Sequence, residues 1–167
     1  MTGRSISLLV ASAILAQAGC GLMTASPSSV PVAAVGARPP VSERASEVVV
    51  FALGLVESGY RFGGKNPEAG LDCSGMVSYV FEHAAGLRLS GSAAEIARQG
   101  RPVDSAALQP GDLVFFNTLN RPRSHVGIYI GDGRFIHAPS GQGRVRTDSL
   151  TRGWFASRFE EARTYLE

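Results

Sequence analysis

The sequence predicts an α+β domain, with helices first and a mostly antiparallel sheet after them. Three observations carry the prediction. Apolar residues recur at helical spacing from Ala45 to Val56 and again from Met76 to Ala84, then change to a period of two beyond Pro110-Gly111. The tight turn Gly131-Asp132-Gly133 joins two of the later segments, which marks antiparallel neighbours rather than a crossover helix. The 167 residues are 44% hydrophobic and 18% charged, enough for one core and too apolar for a disordered chain. A two-domain cofactor enzyme and a long repeat array are thereby excluded.

In chain order, Arg4 precedes an apolar run from Ile6 to Ala16 and then Gln17-Ala18-Gly19-Cys20. A single charge and roughly ten apolar residues ending on small side chains read as a signal peptide over residues 1–19; a bilayer span needs about twenty. Ala18-Gly19-Cys20 resembles the lipobox of bacterial lipoproteins, with Gln17 where Leu is usual. The resemblance implies a lipidated Cys20, export, and sorting to the periplasmic face of the outer membrane, since Gly21 rather than Asp follows. Residues 20–41, rich in Pro, Ser and Ala, read as a tether. The folded domain is expected over residues 42–167.

Ser42 is the expected N-cap of a helix over residues 43–57, stopped by Gly59. A loop rich in glycine, Tyr60 to Gly70, leads to a second helix opened by Asp72-Cys73-Ser74-Gly75 and closed by Gly86. A short helix is expected over Ser92–Gln99. Strands are expected over Asp112–Asn117, Ser124–Ile130, Arg134–Ala138 and Arg144–Asp148, with Thr164–Leu166 at the sheet edge.

Composition limits the function. A net charge of +2 offers no basic field, so nucleic acid is not an expected partner. All the cations except Lys65 are Arg, which suits carboxylate or phosphate contacts, although a GC-rich genome gives the same bias. Two cysteines are too few for a disulfide scaffold, so Cys20 and Cys73 are read as having separate jobs.

Cys73 falls in the first turn of the second helix, where unpaired N–H groups and the macrodipole favour a thiolate. Neighbouring Asp72 opposes that charge unless it is engaged elsewhere. Alternation puts His125, Gly127 and Tyr129 on one face of a strand, and the next strand carries His137 with Phe135. A nucleophile on a helix start and two imidazoles on adjoining strands follow the logic of a Cys–His–orienter triad. A zinc site made of Cys73, His125 and His137 is the rival, without the short spacings of zinc modules. His83, between charged and small residues, reads as a surface group.

Five segments, in order, resemble the NlpC-type cell-wall cysteine endopeptidases. They are Tyr60-Arg61-Phe62-Gly63-Gly64, Leu71-Asp72-Cys73-Ser74-Gly75-Met76-Val77, Pro110 to Phe116, His125 to Gly133, and Phe135-Ile136-His137-Ala138. The likeness runs from about Ser42 to Arg163. It implies a papain-like α+β fold, no metal or organic cofactor, and peptidoglycan stem peptides as substrate, cut between the D-glutamate side chain and meso-diaminopimelate. Cys73 matches the nucleophile, His125 the base and His137 the residue orienting it. Tyr60 matches an oxyanion-stabilising aromatic, and Asp72 and Ser74 match positions lining the substrate cleft.

Two departures stand out. Leu89-Ser90-Gly91-Ser92-Ala93 replaces the family's Leu-Pro-Arg-Thr-Ser, so substrate-carboxylate recognition would fall to another cation, with Arg61, Arg88 and Arg123 as candidates. Phe62 stands where Trp is usual. The other readings are a non-catalytic cell-wall-peptide-binding lipoprotein, and an amidase, crosslink hydrolase or acyltransferase on the same fold.

Overall fold

The computed structural model describes residues 38–141 and 143–166. The expected signal peptide, Cys20 and most of the tether lie outside these residues. Among the described residues no helix is long and apolar enough to cross a membrane.

Helix α1, Glu43–Leu53, begins on Ser42, whose hydroxyl accepts the Ala45 N–H at 3.2 Å. It buries Ala45, Val48 and Ala52. The helix stops four residues short of the expected 57. The Glu57 N–H pairs with Val145 O at 2.9 Å instead of continuing the helix, and Glu57 adopts a φ of 74°. Leu55 stays buried all the same, which is why the apolar period ran on past the helix.

Strands β1 (Lys65–Asn66) and β2 (Gly70–Leu71) form a small antiparallel ribbon just before helix α2, Cys73–Ala85. Helix α2 buries Met76, Val77, Val80, Phe81 and Ala85 and ends on Gly86 at φ 67°. Helix α3 is shorter than expected, Ala93–Ala97, and starts in a capping box between Ser92 and Glu95.

The main sheet has six antiparallel strands in the order β3-β8-β4-β5-β6-β7. They are β3 (Arg101–Val103), β4 (Leu113–Phe116), β5 (His125–Gly131), β6 (Arg134–His137), β7 (Arg146–Ser149) and β8 (Phe159–Thr164). The α+β architecture expected from the sequence is the one observed. Strand β8, however, lies inside the sheet between β3 and β4, not at the edge. Its charged sequence hid this. Ala162 and Thr164 are buried, while Glu161 pairs with Arg163 at 3.1 Å and Arg123 at 2.8 Å. The edge is β3, whose Pro102 disguised it, and an edge strand is where proline is tolerated.

The two faces of the sheet carry different cores. Leu113, Phe115, Val126, Ile128 and Ile136 pack against the three helices. Val114, Phe116, Phe135, Phe155 and Ala162 form an aromatic layer on the other face. The fold also reaches back before Ser42. Arg38 pairs with both carboxylate oxygens of buried Asp112 and donates to Thr164 at 3.0 Å, and Pro39 O accepts from Gln109 at 2.9 Å.

Candidate active site

The half of the site around Cys73 is built from loop and helix start. Asp72 is the N-cap of α2: Oδ1 accepts the Gly75 N–H at 2.7 Å and the Ser74 hydroxyl at 3.1 Å. Oδ2 accepts the Gly63 N–H at 2.9 Å, so one carboxylate ties the glycine loop to the helix. The approach is so close that a Cβ at residue 75 would lie 2.0 Å from Gly64 O, and one at residue 64 would lie 2.1 Å from Gly70 O. Only glycine fits either place. Tyr60 bridges to Leu71, immediately before this cap, and its N–H donates to Gly143 O at 2.7 Å.

Cys73 is a free, half-buried thiol. Burial, then the Asp72 charge, pushes it up to about 11, against the N–H groups of Val126, Ser74 and Cys73 itself, which lower it. The helix-start argument therefore names a real contribution, but desolvation outweighs it and the resting group is a thiol. Asp72 is engaged as a cap and still opposes the thiolate. Burial and the nearby Cys73 and Asp72 raise the Tyr60 hydroxyl, which stays a proton donor at neutral pH. The Val126 contribution puts the Cys73 sulfur at the start of β5, one residue from His125.

The other half is built from sheet register. His125 Nε2 lies 2.7 Å from His137 Nδ1, and His137 Nε2 lies 2.8 Å from Asp148 Oδ2. Strand β7 presents Asp148 opposite Phe135 and Arg146 opposite His137, putting all four on one face. Arg146 Nε donates to the same Asp148 oxygen at 2.9 Å.

This chain fixes the tautomers. A carboxylate only accepts, so His137 carries its proton on Nε2 and offers a lone pair at Nδ1. His125 therefore donates from Nε2, which leaves Nδ1 as its proton-accepting atom. Burial lowers both imidazoles, His125 to about 3 and His137 to about 4, so both are neutral at neutral pH. Behind them, a Cβ at residue 127 would lie 2.6 Å from the Phe135 ring and 3.2 Å from His137 Cβ.

The structure thus gathers Tyr60, Asp72, Cys73 and Ser74 around the helix start, with His125 and His137 on β5 and β6. The zinc alternative fails on geometry. Three of the four imidazole nitrogens are spent on the His125–His137–Asp148 chain, and no group of three or more His, Cys, Asp and Glu among the described residues converges as a metal site. His83 is exposed, its ring 4.1 Å from that of Tyr79. Arg88 pairs with Glu82 at 3.2 Å and Arg123 with Glu161 at 2.8 Å, whereas Arg61 is exposed on the loop that Asp72 holds. Sequence reasoning missed Asp148 and Arg146. The only signal was that both fall in the expected strand 144–148. Its register against β6 depends on an irregular connection that no period reveals.

Known proteins of similar sequence and fold identify the family. Murein DD-endopeptidase MepH of Escherichia coli (strain K12) is 36% identical over 110 residues, which is 64% of this chain and 41% of that protein. The gamma-DL-glutamyl hydrolase of Bacillus subtilis (strain 168) is 40% identical over 107 residues, 64% of this chain and 26% of that protein. The chain thus spans less than half the length of these two relatives. The crystal structure of the NlpC/p60 domain of the peptidoglycan hydrolase SagA superposes with a TM-score of 0.63 at 30% identity, over 72% of this chain and 98% of that one. The fold is therefore the papain-like α+β domain. The NlpC/P60 family model matches residues 57–164, and the chain belongs to the NlpC/P60 family.

Proposed function

We propose that the chain is a peptidoglycan hydrolase that cuts stem peptides with Cys73 as nucleophile, His125 as base and His137 as the group orienting it. The observation that carries this reading is the hydrogen-bonded chain from His125 through His137 to Asp148, which leaves His125 Nδ1 as a base beside the residue whose N–H faces the Cys73 sulfur. The names of the relatives, a murein DD-endopeptidase and a gamma-DL-glutamyl hydrolase, support the substrate class.

The resting pair is thiol and neutral imidazole, so the first step is general-base catalysis. His125 Nδ1 takes the Cys73 proton as sulfur attacks the scissile carbonyl carbon. The carbonyl oxygen becomes an oxyanion near the Cys73 N–H and the Tyr60 hydroxyl. Collapse breaks the C–N bond, and the leaving amine takes the proton from His125. Water then attacks the thioester as His125 accepts its proton; the C–S bond breaks, the sulfur takes that proton back from His125, and the acid product leaves the thiol restored. Asp148, through His137, favours the imidazolium that exists between these steps. Asp72 and Ser74 line the side that receives the acyl fragment. The bond cut is the one between the D-glutamate side chain and the diamino acid.

The proposal extends to the chain's location. Export through residues 1–19 and lipidation of Cys20 would hold the domain at the outer membrane, facing the wall. Cells fed a labelled fatty acid are expected to label the full chain but not Cys20→Ala; label in both would remove the anchor.

The enzymatic test uses purified muropeptides and mass spectrometry. Cys73→Ala and His125→Ala each lower turnover by about 10³ or more while the melting temperature is kept. A new D-glutamate terminus supports the proposed bond. A cut at the D-alanine crosslink would assign the chain to the other activity, and unchanged substrate would assign it to binding. Full activity in Cys73→Ala would overturn the mechanism.

A further inference from the structure

A cavity of about 690 Å³ opens beside His125. Its walls include His125, Arg146, Asp148, Arg152 and Trp154, and none of Tyr60, Asp72, Cys73 and Ser74 lines it. The volume is that of a site for a small ligand.

Its charge is uneven. Asp148 is the lone carboxylate in the lining, and its Oδ2 already accepts from His137 at 2.8 Å and from Arg146 Nε at 2.9 Å, with Arg146 Nη2 ion-paired to it at 2.8 Å. Arg146 keeps Nη1 for another acceptor. The Arg152 guanidinium has no hydrogen-bond or ion-pair partner among the described residues. Its backbone is fixed, since its N–H donates to Ser149 Oγ at 3.1 Å. One wall is apolar: Trp154 is 52% exposed, stands at 88° to the Phe155 ring, and carries Arg158 over one of its faces at 3.9 Å. Two guanidiniums, one of them unpartnered, beside a half-exposed indole suit a small anion that has an aliphatic body.

The position says which part of a substrate this is. His125 must hand its proton to the leaving nitrogen, so the leaving fragment lies over the imidazole while the acyl fragment stays over the helix start. A cavity walled by His125 and not by Cys73 lies on the leaving side. An amino fragment released from a peptide carries a free carboxylate when it is C-terminal or a diamino acid.

We propose that this cavity is the leaving-side subsite, and that Arg152 with the outer edge of Arg146 binds a free carboxylate on the amino fragment. The inference rests on the peptidase reading for the identity of the ligand, and it supplies a carboxylate receptor on the side opposite the expected but absent arginine near Ser90 and Gly91.

The test separates the two readings by measuring binding without turnover. Diaminopimelate and its diamide are titrated calorimetrically into the Cys73→Ala protein, with Arg152 intact or changed to Ala. With Arg152 the free acid binds about tenfold or more tighter than the diamide, and in Arg152→Ala, where Arg146 alone remains, the ratio falls several-fold. Arg152→Lys restores part of the preference, because it keeps the charge without the planar fork. Equal ratios with and without Arg152, or no binding of the acid to the intact site, would overturn the subsite. Hydrolysis of muropeptides by the unaltered protein is scored separately: if it fails, the peptidase reading falls while the binding result stands on its own.

Discussion

Cys73 and His125 are held by opposite kinds of structure. The proposed nucleophile sits in a stretch fixed mainly by contacts from nearby in the chain: Asp72 caps Gly75, Ser74 and Gly63, and the Gly64–Gly75 approach spans eleven residues. The proposed base, His125, is fixed by partners on two other strands, His137 on β6 and Asp148 on β7. Backbone dipoles and steric closeness define the first half, and side-chain hydrogen bonds across a register define the second. The first half is rigid because its atoms have nowhere to go. The second is specific because each acceptor dictates the next donor.

The largest expected effects probe this contrast through catalysis. Tyr60→Phe removes the proposed oxyanion donor on the helix side and is expected to lower kcat by about 10²–10³, with the pH profile unmoved. Asp148→Asn acts two groups away from the sulfur and lowers kcat by about 10–10², and it also moves the acid limb of the profile. Asp148 raises the His137 value through its hydrogen bond and charge, so its loss lets that value fall. Asp148→Glu should recover part of the rate if the charge is what counts. An unshifted acid limb in Asp148→Asn, measured as kcat against pH, would reduce Asp148 to a structural residue.

The same contrast governs what the sequence revealed. The helix-side half was legible because an N-cap, a glycine loop and a Cys in the first turn are local patterns, each with its own mechanism. On the sheet side, alternation placed His125 and His137 on one face correctly, since a tight turn fixes the register of β5 and β6. It did not reach Asp148, because residues 138–145 between β6 and β7 carry no turn signature that sets a register. Strand β8 was misplaced for a related reason: its Glu161 pairs with Arg163 on the same strand and with Arg123 in the loop before β5, and a strand carrying such charges leaves no apolar period to read. The charge state of Cys73 was misjudged because burial, a property of the whole fold, outweighs the local dipole.

Packing offers a second, smaller contrast. At Gly75 the obstacle to a methyl group is backbone, Gly64 O at 2.0 Å, while at Gly127 the Phe135 ring at 2.6 Å comes before the less intrusive backbone oxygen of Ile136 at 2.8 Å. Backbone held by a cap yields less than a ring at the edge of an aromatic layer. Gly75→Ala is therefore expected to cost more, above the roughly 1–3 kcal/mol usual for overpacking, and Gly127→Ala to fall within that range. Urea unfolding of both variants checks the order. Gly127→Ala should in addition lower activity, because the methyl group presses on His137.

The smallest expected effect is the pH dependence of stability, and the two halves should shape opposite limbs of it. The unfolded histidines titrate near 6.5, whereas folded His137 and His125 are lowered to about 4 and 3. Above 6.5 both states are neutral there. As the pH falls through 6.5 the unfolded chain takes up protons that the folded site refuses, so stability declines toward pH 4. The lowered carboxyls Glu95 and Glu161 act only below their ordinary value of 4.5, which leaves the interval from 6.5 to 4.5 to the sheet-side pair. On the alkaline side, folded Cys73 keeps its proton up to about 11 while the unfolded thiol loses it near 9.0, so stability declines as the pH rises through that interval. Tyr60 and Tyr165, both raised, extend the same decline above their ordinary 10.0. Melting temperatures of the native protein and of Cys73→Ala from pH 4 to 10 test the division. The variant should flatten between 9 and 10 and follow the native curve between 6.5 and 4.5. A variant that altered the acid limb instead would show that the two halves are one titrating unit, and that the separation of local and cross-strand construction does not extend to their protons.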